Sequence, residues 1–157
     1  MKSILILLAI ILVQLGCKPE GQTRVHTIII NKSNQNIKIY PYYKGNIDTM
    51  GIELIPKNQT VKVHGGGGRA KFKGPSYATN MMFYDSCFVV FDDSINSFHY
   101  KQTIPGSHPK AIQFENPRNL FNEKNYECII LSEDRYTIQV EYQFTFAEQD
   151  YLYAKGN

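Results

Sequence analysis

Between positions 135 and 146 the chain alternates without a fault. Tyr136, Ile138, Val140, Tyr142, Phe144 and Phe146 fall in one phase, and Thr137, Gln139, Glu141, Gln143 and Thr145 in the other. Successive side chains of a strand point to opposite faces. A period of two held this long therefore describes one strand with a buried face and a wet face. A sheet that is wet on one side suits antiparallel pairing rather than parallel.

Shorter runs at 25–30, 37–43, 51–55, 60–64, 87–91, 97–101 and 128–131 read as further strands. Between them stand turn formers such as Asn31-Lys-Ser-Asn-Gln-Asn36, Pro56-Lys57-Asn58 and Asp92-Asp-Ser94. Eleven Tyr and nine Phe fit this reading, because aromatic residues pack well on a pleated surface. His64 and the four glycines after it read as a flexible loop. Asn116-Pro117 reads as a helix start, with Asn as cap and Pro in the first turn, giving one helical turn through Phe121. Positions 147–155 read as a short terminal helix ended by Gly156. The expected fold is all-β and mainly antiparallel: a β-sandwich or partly closed barrel with one or two short helical turns.

The chain opens differently. Met1 and Lys2 precede an apolar run at 4–13, and Gln14-Leu15-Gly16-Cys17 closes it. A basic end, a short apolar middle and a small-residue processing point are the layout of a secretory signal peptide. A transmembrane helix needs about 20 apolar residues, and this run stops at Gln14. The junction resembles the lipobox of bacterial lipoproteins, with Gln14 where that motif usually has Leu. The resemblance implies that Cys17 is lipidated and becomes the new N-terminus. The alternative is a secreted protein cut near Gly16 without lipid. The expected organisation is a signal peptide at 1–16, a lipidated flexible tether at 17–24 and a single β-rich domain at 25–157.

With Cys17 lipidated, Cys87 and Cys128 remain. In an oxidising compartment they have two fates: a disulfide, or two buried free thiols acting as small apolar residues. The formal charge of +3 falls to +2 when Lys2 leaves with the leader. That balance gives no argument for nucleic acid. Charge is nonetheless uneven along the chain. Positions 54–84 hold Lys57, Lys62, Arg69, Lys71 and Lys73 and no acid, whereas 115–150 hold eight acids. The basic stretch reads either as a face for an anionic glycan or lipid headgroup, or as lysines guarding a sheet edge.

Motifs that carry chemistry are sparse. The glycine run lacks the Gly-Lys-Ser/Thr of a phosphate loop. Asp92, Ser94 and Asn96 space their oxygens like the opening of a calcium loop, but Ser97 and Thr103 stand where glycine and glutamate belong; a turn is the better reading, and no metal or cofactor is expected. His26, His64, His99 and His108 lack ligand spacing. Ser107-His108 is too local for a nucleophile and its base, and no Gly-x-Ser-x-Gly elbow occurs. Tyr40-Pro-Tyr-Tyr43 reads as an aromatic platform for sugars or as ordinary packing.

Cys17, Ile28-Ile-Ile-Asn31 with Ser33, Phe91-Asp-Asp-Ser94, Arg118-Asn119 and Asp150-Tyr151 together resemble small uncharacterised lipoproteins of Bacteroidota-type bacteria. That resemblance implies an envelope location and a β-rich fold, and brings no activity. Asp48-Thr49-Met50 and Asp93-Ser94-Ile95 resemble the Asp-Ser/Thr-aliphatic O-glycosylation acceptor of such bacteria, which would place glycans on Thr49 and Ser94. The expected function is a membrane-anchored, non-catalytic binding or structural accessory of the cell envelope. Acyl chains on Cys17 would hold it to the membrane, and an envelope protein or anionic glycan would be its partner. The other readings are a periplasmic immunity or inhibitor lipoprotein and a hydrolase with a site assembled from distant loops.

Overall fold

A computed structural model describes residues 21–68, 83–102 and 110–156 of the chain. Two mixed sheets face each other in a sandwich-like arrangement, with no closed barrel among the described residues. The first sheet contains β1 (Gln22–Asn31), β5 (Thr60–Gly68), β9 (Glu127–Glu133) and β10 (Thr137–Phe146), in the order β5-β1-β10-β9. The second contains β2 (Ile37–Tyr43), β3 (Asn46–Ile47), β6 (Ser86–Phe91), β7 (Ile95–Tyr100) and β8 (Ala111–Ile112), in the order β3-β2-β6-β7-β8. A short β4 (Glu53–Ile55) also pairs with β2.

The alternating segment is strand β10, with Ile138, Val140, Tyr142, Phe144 and Phe146 all buried. Tyr136 falls just before the strand and is exposed. Strand β1 obeys the same rule, burying Thr23, Val25, Thr27, Ile29 and Asn31. The two pair in parallel, from Gln22 opposite Thr137 to Asn31 opposite Phe146. The mainly antiparallel expectation holds, with six of the eight strand pairings among the described residues antiparallel, but both sheets are mixed, since β1 with β10 and β7 with β8 pair in parallel. Alternation reports that one face is wet, and says nothing of a neighbour's direction. A parallel pair needs a long connection, and here everything from β2 to β9 supplies it.

The loop reading of the glycine run is corrected. Gly65 to Gly68 continue β5 and pair with Thr23 to His26 of β1, after a register shift near Thr27. A Cβ on Gly67 would lie 2.8 Å from the Thr23 carbonyl oxygen, so the close approach of the two backbones requires glycine there.

Residues of both inner faces form one core. Phe144 meets Phe146 edge-on at 5.1 Å between ring centres, and Phe91 meets Phe146 at 6.1 Å. Each such ring contributes about 1.5–3 kcal/mol by leaving water. The helical turn expected from Pro117 is instead a chain of tight turns. Asn119, Asn122 and Asn125 each donate a backbone N–H to the asparagine carbonyl three residues earlier. Their side chains then tie the loop to itself: Asn125 Nδ2 donates to the Asn116 and Asn119 carbonyls, and Asn119 Nδ2 to those of Tyr100 and Ile112. Asparagine competes with helix by bonding nearby backbone, so the first regular turn, a 3-10 turn, waits until Glu123–Asn125. The terminal helix α1 (Glu148–Lys155) forms as read. It ends at Gly156 with φ 89°, whose N–H caps the Leu152 and Tyr153 carbonyls.

Cys87 and Cys128 are free thiols. Cys87 is buried on β6, whereas Cys128 is exposed on β9 of the other sheet. The disulfide reading is thus corrected. The two-buried-thiols reading holds for Cys87 alone, whose thiol burial pushes well above its ordinary range.

Candidate functional site

The core side of β2 takes Ile37, Ile39 and Pro41, which turns Lys38, Tyr40 and Tyr42 outward. On β6 the same alternation turns Phe88 outward, and on β7 it turns Asn96, Phe98 and Tyr100 outward. The outer face of the second sheet therefore carries a row of rings. Tyr40 and Phe88 lie 6.5 Å apart, Phe88 and Phe98 4.6 Å, and Phe98 and Tyr100 6.4 Å with nearly parallel planes.

At one end of this row is a groove of about 290 Å³, with Tyr40, Tyr42, Phe88 and Val90 among its walls and Asp93, Ser94 and Asn96 at its polar end. The polar end is the β6–β7 turn. Asp92 and Asp93 both sit at positive φ, 46° and 61°, and Ser94 N–H closes the turn on the Phe91 carbonyl at 3.2 Å. Asp tolerates this left-handed backbone better than most residues. Asp92 accepts from Asn36 N–H at 2.9 Å, which fastens the turn to the start of β2. Asp93, the one charged residue of the lining, is ion-paired with Lys38 at 2.6 Å, and Asp92 adds a second carboxylate to the same turn. The Asn96 amide and the Ser94 hydroxyl form no side-chain hydrogen bond among the described residues.

The expected site residues scatter. Lys57 lies in the turn between β4 and β5, and Lys62 on β5, an edge of the first sheet, as an edge-guarding lysine should. Cys17, Arg69, Lys71, Lys73 and His108 lie outside the described residues. Thr49 and Ser94 are both exposed in turns, near opposite ends of β2. No group of three or more His, Cys, Asp or Glu suited to a metal ion occurs among the described residues.

One pair invites a catalytic reading and fails it. Ser97 Oγ and His99 Nε2 lie 3.3 Å apart on the inner face of β7, but both residues are buried. The Leu120 N–H donates to His99 Nδ1 at 3.2 Å. Nε2 therefore carries the proton and donates to Ser97, which is backwards for a base that must accept from a nucleophile. Burial and the nearby Arg118 push the His99 pKa down to about 3.

Several motifs singled out in the sequence are brackets of the fold. Asn31 Oδ1 accepts from the Ser33 N–H and hydroxyl, while its Nδ2 donates to the carbonyls of Gln35, Ile55 and Pro56. Arg118 grips the buried Asp150 with two nitrogens and also donates to the Thr145 carbonyl. Asp150 in turn accepts the Ala147 N–H at 2.7 Å, fixing the start of α1.

Tyr40 and Tyr42 belong to a platform suggested by sequence, whereas Phe88, Val90 and Lys38 do not. Phe88 hides inside the continuous apolar run Cys87-Phe-Val-Val-Phe91, where nothing marks which ring faces out. No family model matches the chain, no curated protein matches it and no solved structure matches it. A sandwich-like β-domain with an aromatic groove on the outer face of its second sheet is the class that fold and geometry define.

Proposed function

We propose that this chain is a lipoprotein of the bacterial cell envelope, held to the membrane by acyl chains on Cys17, whose β-domain is a non-catalytic binding accessory. The observation that carries the binding role is the groove on the second sheet. It is built on a paired sheet face, walled by rings and closed at one end by polar groups, of which Ser94 and Asn96 form no side-chain hydrogen bond among the described residues. A mainly apolar hollow with a few convergent polar groups is the usual form of a binding site. The anchor rests on the leader. One acyl chain holds only marginally, at about 0.8 kcal/mol per buried methylene, whereas two or three hold stably. Metabolic labelling with a palmitate analogue tests it. Wild type should take up label and sediment with membranes, and Cys17→Ala should do neither. Label on Cys17→Ala, or an unlabelled wild type, would overturn the anchor.

One observation favours a second reading, that of a periplasmic inhibitor or immunity protein. Strand β9 is an edge of the first sheet and exposes Ile130 and Leu131. An open apolar edge is a docking line for a strand of another protein.

A further inference from the structure

The groove reading can be taken further, to a ligand class. From the groove's chemistry we infer that it takes a neutral saccharide, one or two pyranose units at a time; this rests on the binding role proposed above. Size comes first. At about 290 Å³ the groove sits at the lower limit of ligand pockets, which begin near ~300 Å³. It suits a small cyclic ligand or the end of a chain rather than a long polymer. Shape comes second. Tyr40, Tyr42 and Phe88 present ring surface, and ring faces carry negative electrostatic potential. The C–H face of a pyranose is slightly positive and matches such a wall, whereas its hydroxyl edge does not.

Polarity comes third. Hydroxyl groups need partners that both donate and accept. Asn96 offers an amide that does both, Ser94 a hydroxyl that does both, and Asp93 carboxylate oxygens that accept. All three come from one turn and the strand start after it, so they meet one edge of a ring lying on the wall. Charge decides between neutral and anionic sugars. The Lys38–Asp93 pair offsets the one charge of the lining, Asp92 adds a carboxylate to the same turn, and the described lysines of the basic stretch lie elsewhere, in the β4–β5 turn and on β5. An anionic sugar would lose hydration at the groove without gaining a free cation there.

Saturation-transfer NMR on the full chain in detergent micelles tests this. The probes are neutral di- and trisaccharides of glucose, galactose, mannose and N-acetylglucosamine, with trigalacturonate as the anionic comparison. At least one neutral probe should receive saturation at its ring C–H protons, and trigalacturonate should receive less. Tyr40→Ala and Asn96→Ala should each weaken that neutral probe about tenfold, equivalent to about 1.4 kcal/mol, with unchanged circular dichroism. Should Tyr40→Ala fail to fold, Asn96→Ala and Asp93→Asn carry the test. Asn keeps the left-handed turn, and freeing Lys38 should move preference toward trigalacturonate. Silence from every neutral probe, or a stronger response from trigalacturonate in wild type, overturns the saccharide assignment. Retention of isolated envelope fragments by the same chain is a separate readout. If Tyr40→Ala abolishes that retention while sugars stay silent, the binding role stands and the ligand class falls. If retention ignores the groove variants, the binding role at this groove falls as well.

Discussion

His99 is the residue whose chemistry most constrains the solution behaviour of the fold. It is wholly enclosed, neutral, and bonded at both ring nitrogens. Its pKa of about 3 lies below the 6.5 of an exposed histidine. Between those values the unfolded chain binds a proton that the folded chain refuses, so stability rises with pH across that window and is lost as pH falls through it. The expected slope is up to about 1.4 kcal/mol per pH unit. Urea unfolding at pH 7, 5.5 and 4 checks it: wild type should weaken at each step, and His99→Asn should show a flatter dependence. Asp150 poses the complementary case. It is buried, and Arg118, 40% exposed, is its main partner. Arg118→Ala should cost about 2–3 kcal/mol in urea unfolding, less than a fully buried pair because water reaches the vacated side. Arg118→Lys should restore only part, since an ammonium cannot reproduce the two-pronged grip. Neither role is legible in sequence. Arg118 and Asp150 stand far apart in the chain, and only the packing of the asparagine loop on the end of β10 joins them.

At the scale of elements, β5 makes the sharpest claim. Four successive glycines read as a loop because glycine is entropically costly in a strand. The strand persists because β1 lies against it closely enough to exclude a Cβ at Gly67. Gly67→Ala should therefore destabilise by about 1–3 kcal/mol, the usual cost of overpacking. Gly65→Ala should do little, since its nearest neighbours are the flexible end of Lys62 and the His26 ring, at 3.3–3.4 Å. Thermal melts of the two variants, with hydrogen exchange at the amides of 23–26, separate the positions. Strands with one wet face, β10 above all, were legible from alternation, as was the helix stop at Gly156. The groove was half legible. Tyr40 and Tyr42 stand in a visible aromatic cluster, but whether they point in or out depends on Pro41 facing the core, and no local pattern states that.

Across the whole molecule, the two ends of the domain lie side by side. Strands β1 and β10 pair in parallel, so the central ladder of the first sheet joins positions 115 apart in the chain, as Gln22 opposite Thr137 shows. Loop closure of that span must precede the contacts that reward it, which leaves edge strands open during folding. The open edge at β9 is then the hazard. Ile130 and Leu131 are 51% and 47% exposed, and Cys128 is exposed beside them. Glu127 and Glu133 stand at the two ends of this strand, where acids discourage a second chain from pairing. Self-pairing of two β9 strands about Ile130 would set Glu127 against Glu133, a like-charge contact. The double variant Glu127→Gln, Glu133→Gln should keep the native circular dichroism yet aggregate sooner on refolding from urea, as followed by light scattering. The effect should fade when Ile130→Thr is added, because the apolar centre of the edge is what the acids guard. Equal scattering from wild type and the double variant would show that the edge is protected by something other than its charges.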